Sequence, residues 1–230
     1  MQSCRKVRYK SFLAGVHPAA SHSLKGRHST NHTSFVDEVD CEKKMDIEIC
    51  QKVRCLLEAF DPLVTDLGVS DSRGSAFSIG GGLVCMMLLC PEDAGETAIK
   101  YRILVSEFEL AGVIVSDETC KHAVHCAWRA LFGASLRCDL DKWCENRGDG
   151  FAVKYLRQTE LSSTYAFGPG SGHFGVAVFY KDDGSMDFCV RFNGQLVFTC
   201  EQQRSTAVRR LVVAALDRVA RGSSCCAIVI

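Results

Sequence analysis

The stretch HCAWRALFGAS, residues 125–135, reads as a helix, because Ala127, Ala130, Leu131 and Ala134 recur at three- and four-residue steps and would face one core. Cys126 and Arg129 sit in the same segment, and what they do there bears on the reading of the whole chain. Working outward, the pattern runs back to Asp117 and forward to Leu136. Three further helices are expected before it. MDIEICQKVRCLLEAFDPLVTDL (45–67) spaces Ile47, Cys50, Val53, Leu56, Leu57 and Phe60 helically until Pro62 breaks it. SIGGGLVCMMLLC (78–90) and ETAIKYRILVSEFELAGVIV (96–115) are apolar enough to be buried helices. Leu140–Arg147 is a short amphipathic helix with Trp143 as its largest apolar group.

After Gly150 the period changes from about 3.6 to 2. FAVKYLRQ, HFGVAVFY, MDFCVRF and QLVFTCE alternate like strands, separated by GPGSG, KDDGS and the Asn193-Gly194 dipeptide, a tight hairpin signal. STAVRRLVVAALDRVA closes the pattern as an amphipathic helix, with Leu211, Ala215 and Val219 on one stripe. The expected architecture is α+β: an all-α domain over residues 45–138, then a small α-β-β-β-α domain over 139–222 and an apolar tail at 223–230.

Composition bounds the function. With 230 residues, 47% apolar and formal net charge zero, the chain can bury one good core or two small ones. No run reaches the roughly eighteen apolar residues of a membrane span. Fourteen cysteines without a CxxC pair or a secretory signal read as reduced thiols. Cys120, His122, His125 and Cys126 could form a zinc site, but no second ligand pair stands at a familiar spacing, so neither metal nor cofactor is expected. SIGGGLV lacks the Lys-Ser/Thr of a phosphate loop, and the cysteines of CCAIVI stand too far from the terminus for prenylation. Residues 1–36 are basic, Ser-rich and free of acids before Asp37, the composition of a mitochondrial transit peptide, or else of a basic tail that binds phosphate non-specifically.

Several segments bring a family into view. RILVSEFELA (102–111) and ALFGASL (130–136) resemble two helices of the ribonuclease III domain, PEDAGE its connecting turn, and AFSIGGGLV (76–84) its signature helix. Members of that family cut double-stranded RNA with Mg²⁺ held by carboxylates. The resemblance places those carboxylates at Gly74, Phe77, Gly81, Cys126 and Arg129, none of which can hold a hard cation, and it therefore implies a catalytically dead member. Residues 140–219 resemble the double-stranded-RNA-binding domain that follows in the family, with GPGSGH as its groove-reading loop. That implies RNA contacts at His173, Arg204, Arg209 and Arg210, or, with so thin a basic cluster, a protein-docking module around Phe174, Val176 and Val178.

The function this implies is a non-catalytic RNA- and protein-binding subunit of a ribonucleoprotein in the mitochondrial matrix, such as the large ribosomal subunit or its assembly intermediates. Its partners are structured or double-stranded RNA, a second protein of ribonuclease III fold as heterodimer partner, and the other subunits. The alternatives are an inactive partner of the endonuclease in a uridine insertion/deletion editing complex, and an unrelated α+β protein-interaction protein.

Overall fold

The structure, a computed structural model, describes residues 47–61, 64–67, 74–89, 98–147, 151–169, 174–221 and 228–229. It divides into two compact units. The first holds the chain up to Tyr101 with Gly112–Ala123, and the second holds Arg102–Ala111 with Val124–Ile230. The transit segment expected at residues 1–36, and His173, lie outside the described residues.

In the first unit, residues 47–58 form helix α1, with Val53 and Leu57 fully buried. Ser75 donates its hydroxyl to the Cys50 thiol at 3.5 Å. Strands β1 (Thr65–Asp66), β2 (Gly74–Ile79), β3 (Val84–Leu89), β4 (Ile99–Val105) and β5 (Phe108–Ile114) form a sheet in chain order, with Arg102–Ala111 of the β4–β5 hairpin falling in the second unit. Between β2 and β3 the chain reverses through Gly80, Gly81 and Gly82, whose φ angles are 63°, 66° and 97°. Three successive residues at positive φ suit glycine, which has no Cβ to clash there. The Asp61 carboxylate fixes the turn by accepting the Gly80 N–H at 2.6 Å.

The second unit carries most of helix α2 (Asp117–Glu145), strands β6 (Phe151–Gln158), β7 (Ser162–Pro169), β8 (Phe174–Tyr180), β9 (Ser185–Phe192) and β10 (Gln195–Arg204), helix α3 (Ser205–Ala220) and strand β11 (Ile228–Val229). Strands β6 to β10 are an antiparallel meander, and β11 adds in parallel to β10. Asn193 and Gly194 both take positive φ, 47° and 78°, as a two-residue hairpin requires. One face of this sheet is the core. Tyr165 pairs with Val176 and Val176 with Val190, while Phe167 pairs with Phe174, and all five are buried. Trp143 of α2 lies edge-on to Phe167 and Phe174, at centroid distances of 5.7 and 5.5 Å. On β9 and β10 lies α3, with Val208, Val212, Ala215 and Leu216 buried.

These elements correct the expected architecture. The all-α domain of residues 45–138 does not form, because 78–90 contains the end of β2, a glycine turn and β3, and 96–115 contains the β4–β5 hairpin. Burial in IKYRILV alternates, with Ile99, Tyr101, Ile103 and Val105 inside and Lys100 and Arg102 outside, a period of 2 that only a strand can bury. In β3, Val84, Cys85, Met86 and Leu88 are all buried, so no alternation is left to separate that strand from a buried helix. Nor is the second part α-β-β-β-α. Leu140–Glu145 is the end of α2 rather than a helix of its own, and SSTYAFGP supplies an additional strand, β7. The fold implied by the ribonuclease III resemblance is therefore not the fold of this chain.

Gly133 of α2 sits where the helix meets this sheet: its carbonyl accepts the Tyr165 hydroxyl at 2.7 Å. A Cβ there would land on the Tyr155 hydroxyl, with Gln158 Oε1 at 2.6 Å and Ser163 Oγ at 2.7 Å. Gly133→Ala is expected to destabilise the protein by about 1–3 kcal/mol through overpacking. Thermal unfolding checks it, and an unchanged midpoint would mean that helix and sheet are not in close contact at this position.

Candidate functional site: a groove between two helices

The site rests on a polar network beneath α2. Arg129 is only 4% exposed, and its guanidinium donates to the Glu160 carbonyl at 3.0 Å and the Lys181 carbonyl at 3.1 Å, in the β6–β7 and β8–β9 connections. The Asp182 carboxylate, 3.4 Å away and fully solvated, adds little. The guanidinium also lies 5.9 Å from the Tyr180 ring centroid. Tyr180 places its hydroxyl against Ser163 Oγ and 3.1 Å from the Arg129 carbonyl. Ser163 donates to Gln158 Oε1, which also accepts from Tyr155, and Gln158 Nε2 donates to the Thr159 carbonyl at 2.7 Å. No buried side-chain N or O among the described residues is left without a hydrogen bond. Burial pushes the Tyr155 hydroxyl up to about 12, and moves Tyr165 and Tyr180 in the same direction. The Cys144 thiol is pushed to about 11 by burial, and burial likewise raises Cys85 and Cys120. These groups stay protonated near neutral pH, the opposite of an activated nucleophile or base.

With its inward face committed to the sheet, α2 turns Trp128, Leu131 and Ser135 outward, three and four residues apart and half-buried. Val213 and Ala214 of α3 face them across a groove of about 780 Å³. Two links hold the helices in place. Arg209 Nε is 2.6 Å from Asp139 Oδ2, and that hydrogen bond holds the guanidinium still more firmly in its charged form. Trp143 Nε1 donates to Asp217 Oδ1 at 2.8 Å, which also takes Arg147 at 3.2 Å, while the Arg147 guanidinium lies 4.4 Å from the Trp143 ring centroid. Both acids are thereby spent. Lys142 and Arg210, exposed along the groove, have no ion-pair partner among the described residues.

The residues singled out in the sequence take other places. Gly74 opens β2, packed so closely on the Leu88 carbonyl that a Cβ would overlap it, and Phe77 is in the core of the first unit. Gly81 is in the glycine turn. Cys126 is fully buried on α2, beside the buried Arg129. No signature helix assembles the first three. Of the expected RNA contacts, Arg204 is the exposed N-cap of α3, Arg209 is bound to Asp139, and Arg210 lines the groove. Phe174, Val176 and Val178, expected as an open docking face, are buried on the helix-bearing side of the sheet. Sequence reasoning missed Trp128 and Ser135, and gave Leu131 to the core. The i, i+3, i+7 spacing of Trp128, Leu131 and Ser135 was the available signal.

No protein-family model matches the chain, and comparison with curated proteins and with solved structures gives no significant match.

Because burial raises Tyr155 from 10.0 to about 12, the fold favours the neutral phenol. Its contribution to stability is complete below about pH 10 and is lost as pH rises through the folded value. Alkaline titration is expected to show phenolate absorbance from the buried tyrosines only together with loss of the folded circular dichroism signal. Early, non-cooperative ionisation of all the tyrosines would contradict the network.

Proposed function

We propose that this chain is a non-catalytic binding subunit that holds an amphipathic helix of a partner protein in the groove between α2 and α3. The observation that carries the reading is the composition of that groove: an apolar floor of Trp128, Leu131 and Val213 whose two carboxylates, Asp139 and Asp217, are already paired, with Arg210 on its lining and Lys142 on the adjoining recess, neither with an ion-pair partner among the described residues. A helix laid in such a groove buries an apolar stripe, at about 1.5–3 kcal/mol for each large side chain fully covered. The unpaired cations select a helix with glutamate or aspartate beside the stripe and disfavour a basic one. The compartment in which to seek the partner is the mitochondrion, expected from the basic, Ser-rich composition of residues 1–36.

Fluorescence anisotropy of the full chain with a synthetic leucine-striped helix flanked by glutamates, and with its lysine-flanked counterpart, tests the reading. The acidic helix is expected to bind and the basic one not. Leu131→Glu and Val213→Glu are each expected to weaken binding by roughly tenfold or more, about 1.4 kcal/mol. Equal binding of both helices, or binding indifferent to the two substitutions, would refute the groove as the docking site.

A further inference from the structure

The six-stranded sheet has a second face, turned away from α2 and α3, and its composition is unlike that of the first. Register places Lys154 of β6 beside Ala166, Ala166 beside Gly175, and Gly175 beside Arg191 of β9, a single row across four strands. The adjacent row runs from Arg157 through Thr164 and Ala177 to Cys189. The middle of this face is thus a low floor of small side chains, bounded by cations on β6 and β9. The two bounding strands lie about 14 Å apart, three inter-strand spacings. Lys154, Arg157 and Arg191 are exposed and have no ion-pair partner among the described residues, whereas Asp187, a carboxylate of the same face, is held by Lys181 at 2.9 Å. Next to it in register lies Phe179, 47% exposed.

We infer that this face binds a single-stranded nucleic acid. Three unpaired cations held over one floor repel one another, and fixed anions at the same spacing would relieve that repulsion. A floor no taller than threonine lets a flat, charged chain lie close to the backbone of the sheet, which a bulky protein side-chain mosaic would not need. Phe179 offers a ring face on which a base can stack, the complement that turns a cationic strip into a strand platform. A duplex would meet this surface with one backbone only and leave Phe179 without a base. The site is independent of the α2–α3 groove and of the reading given to it.

The test is anisotropy titration of the full chain with fluorescein-labelled oligouridylate, a duplex of equal length and a polyglutamate peptide. Oligouridylate is expected to bind with a log-log salt slope near −2, about −0.7 for each of three phosphate contacts. The triple substitution Lys154→Ala, Arg157→Ala, Arg191→Ala should abolish binding, and Lys154→Ala alone should flatten the slope by about 0.7. Phe179→Ala should weaken it by roughly tenfold, within the range for one stacked base. All four positions are exposed, and circular dichroism verifies that each variant is folded. No binding by the wild type at low salt, binding unchanged in the triple variant, loss of binding in Arg204→Ala with Arg210→Ala instead, or equal binding of duplex or polyglutamate would each overturn the inference.

Discussion

A single buried guanidinium organises the second unit. Arg129 projects from α2 into the interior, and a charge taken out of water is tolerated only where hydrogen bonds replace its hydration. Here the replacements are backbone carbonyls of Glu160 and Lys181, in two separate turns of the sheet, so the residue joins the helix to both connections at once. Hydrogen bonds to a charged group contribute about 1.5–3 kcal/mol each. They are also specific: the guanidinium fork reaches both carbonyls only when α2 has one rotation and one height over the sheet. The Tyr165 bond to Gly133 repeats the constraint one turn along.

Everything that faces outward follows from that rotation. With Arg129 and Gly133 bonded to the sheet and its connections, the helix shows Trp128, Leu131 and Ser135 on its other side, beside α3. The Asp139–Arg209 and Trp143–Asp217 links then set the groove's width and consume its acids, which is why the free charge along it is positive. The helices claim one face of the sheet, so their weight of aromatic packing, Trp143 on Phe167 and Phe174, collects there. The opposite face is left with alanine, glycine and threonine between cations. One unit thus presents two chemically distinct surfaces: an apolar groove and a flat cationic floor.

Much of this unit was legible from the residues. Strands β6, β8, β9 and β10 show themselves by alternation, the β9–β10 turn by Asn193-Gly194, and α3 by its amphipathic spacing. β7 escaped because SSTYAFGP has small and polar residues on its outer side, and its inward Ser163, Tyr165 and Phe167 make a mixed polar and aromatic row. In the first unit the misreading had a physical cause. Val84–Leu89 is buried on both sides, and a run apolar on both sides carries no period. The positive φ angles of the three glycines within 78–90 make the reversal that turns one apolar run into two strands. The candidate groove was half legible: the α2 stripe could be counted, but nothing in the sequence pairs Leu131 with Val213.

The sequence by itself determined which segments have a polar and an apolar side, where the chain can reverse, and which cations have no acid near them in the chain, because these are properties of local spacing. Only the tertiary structure decided whether Arg129 was a lost ligand or a buried tie, whether Leu131 faced a core or a groove, and which arginines remained unpaired. Those outcomes depend on contacts between residues 31 to 74 positions apart, from Arg129 to Glu160 and from Trp143 to Asp217. A hydrogen bond or an ion pair exists only when both partners are brought together, and local spacing holds no information about the second partner.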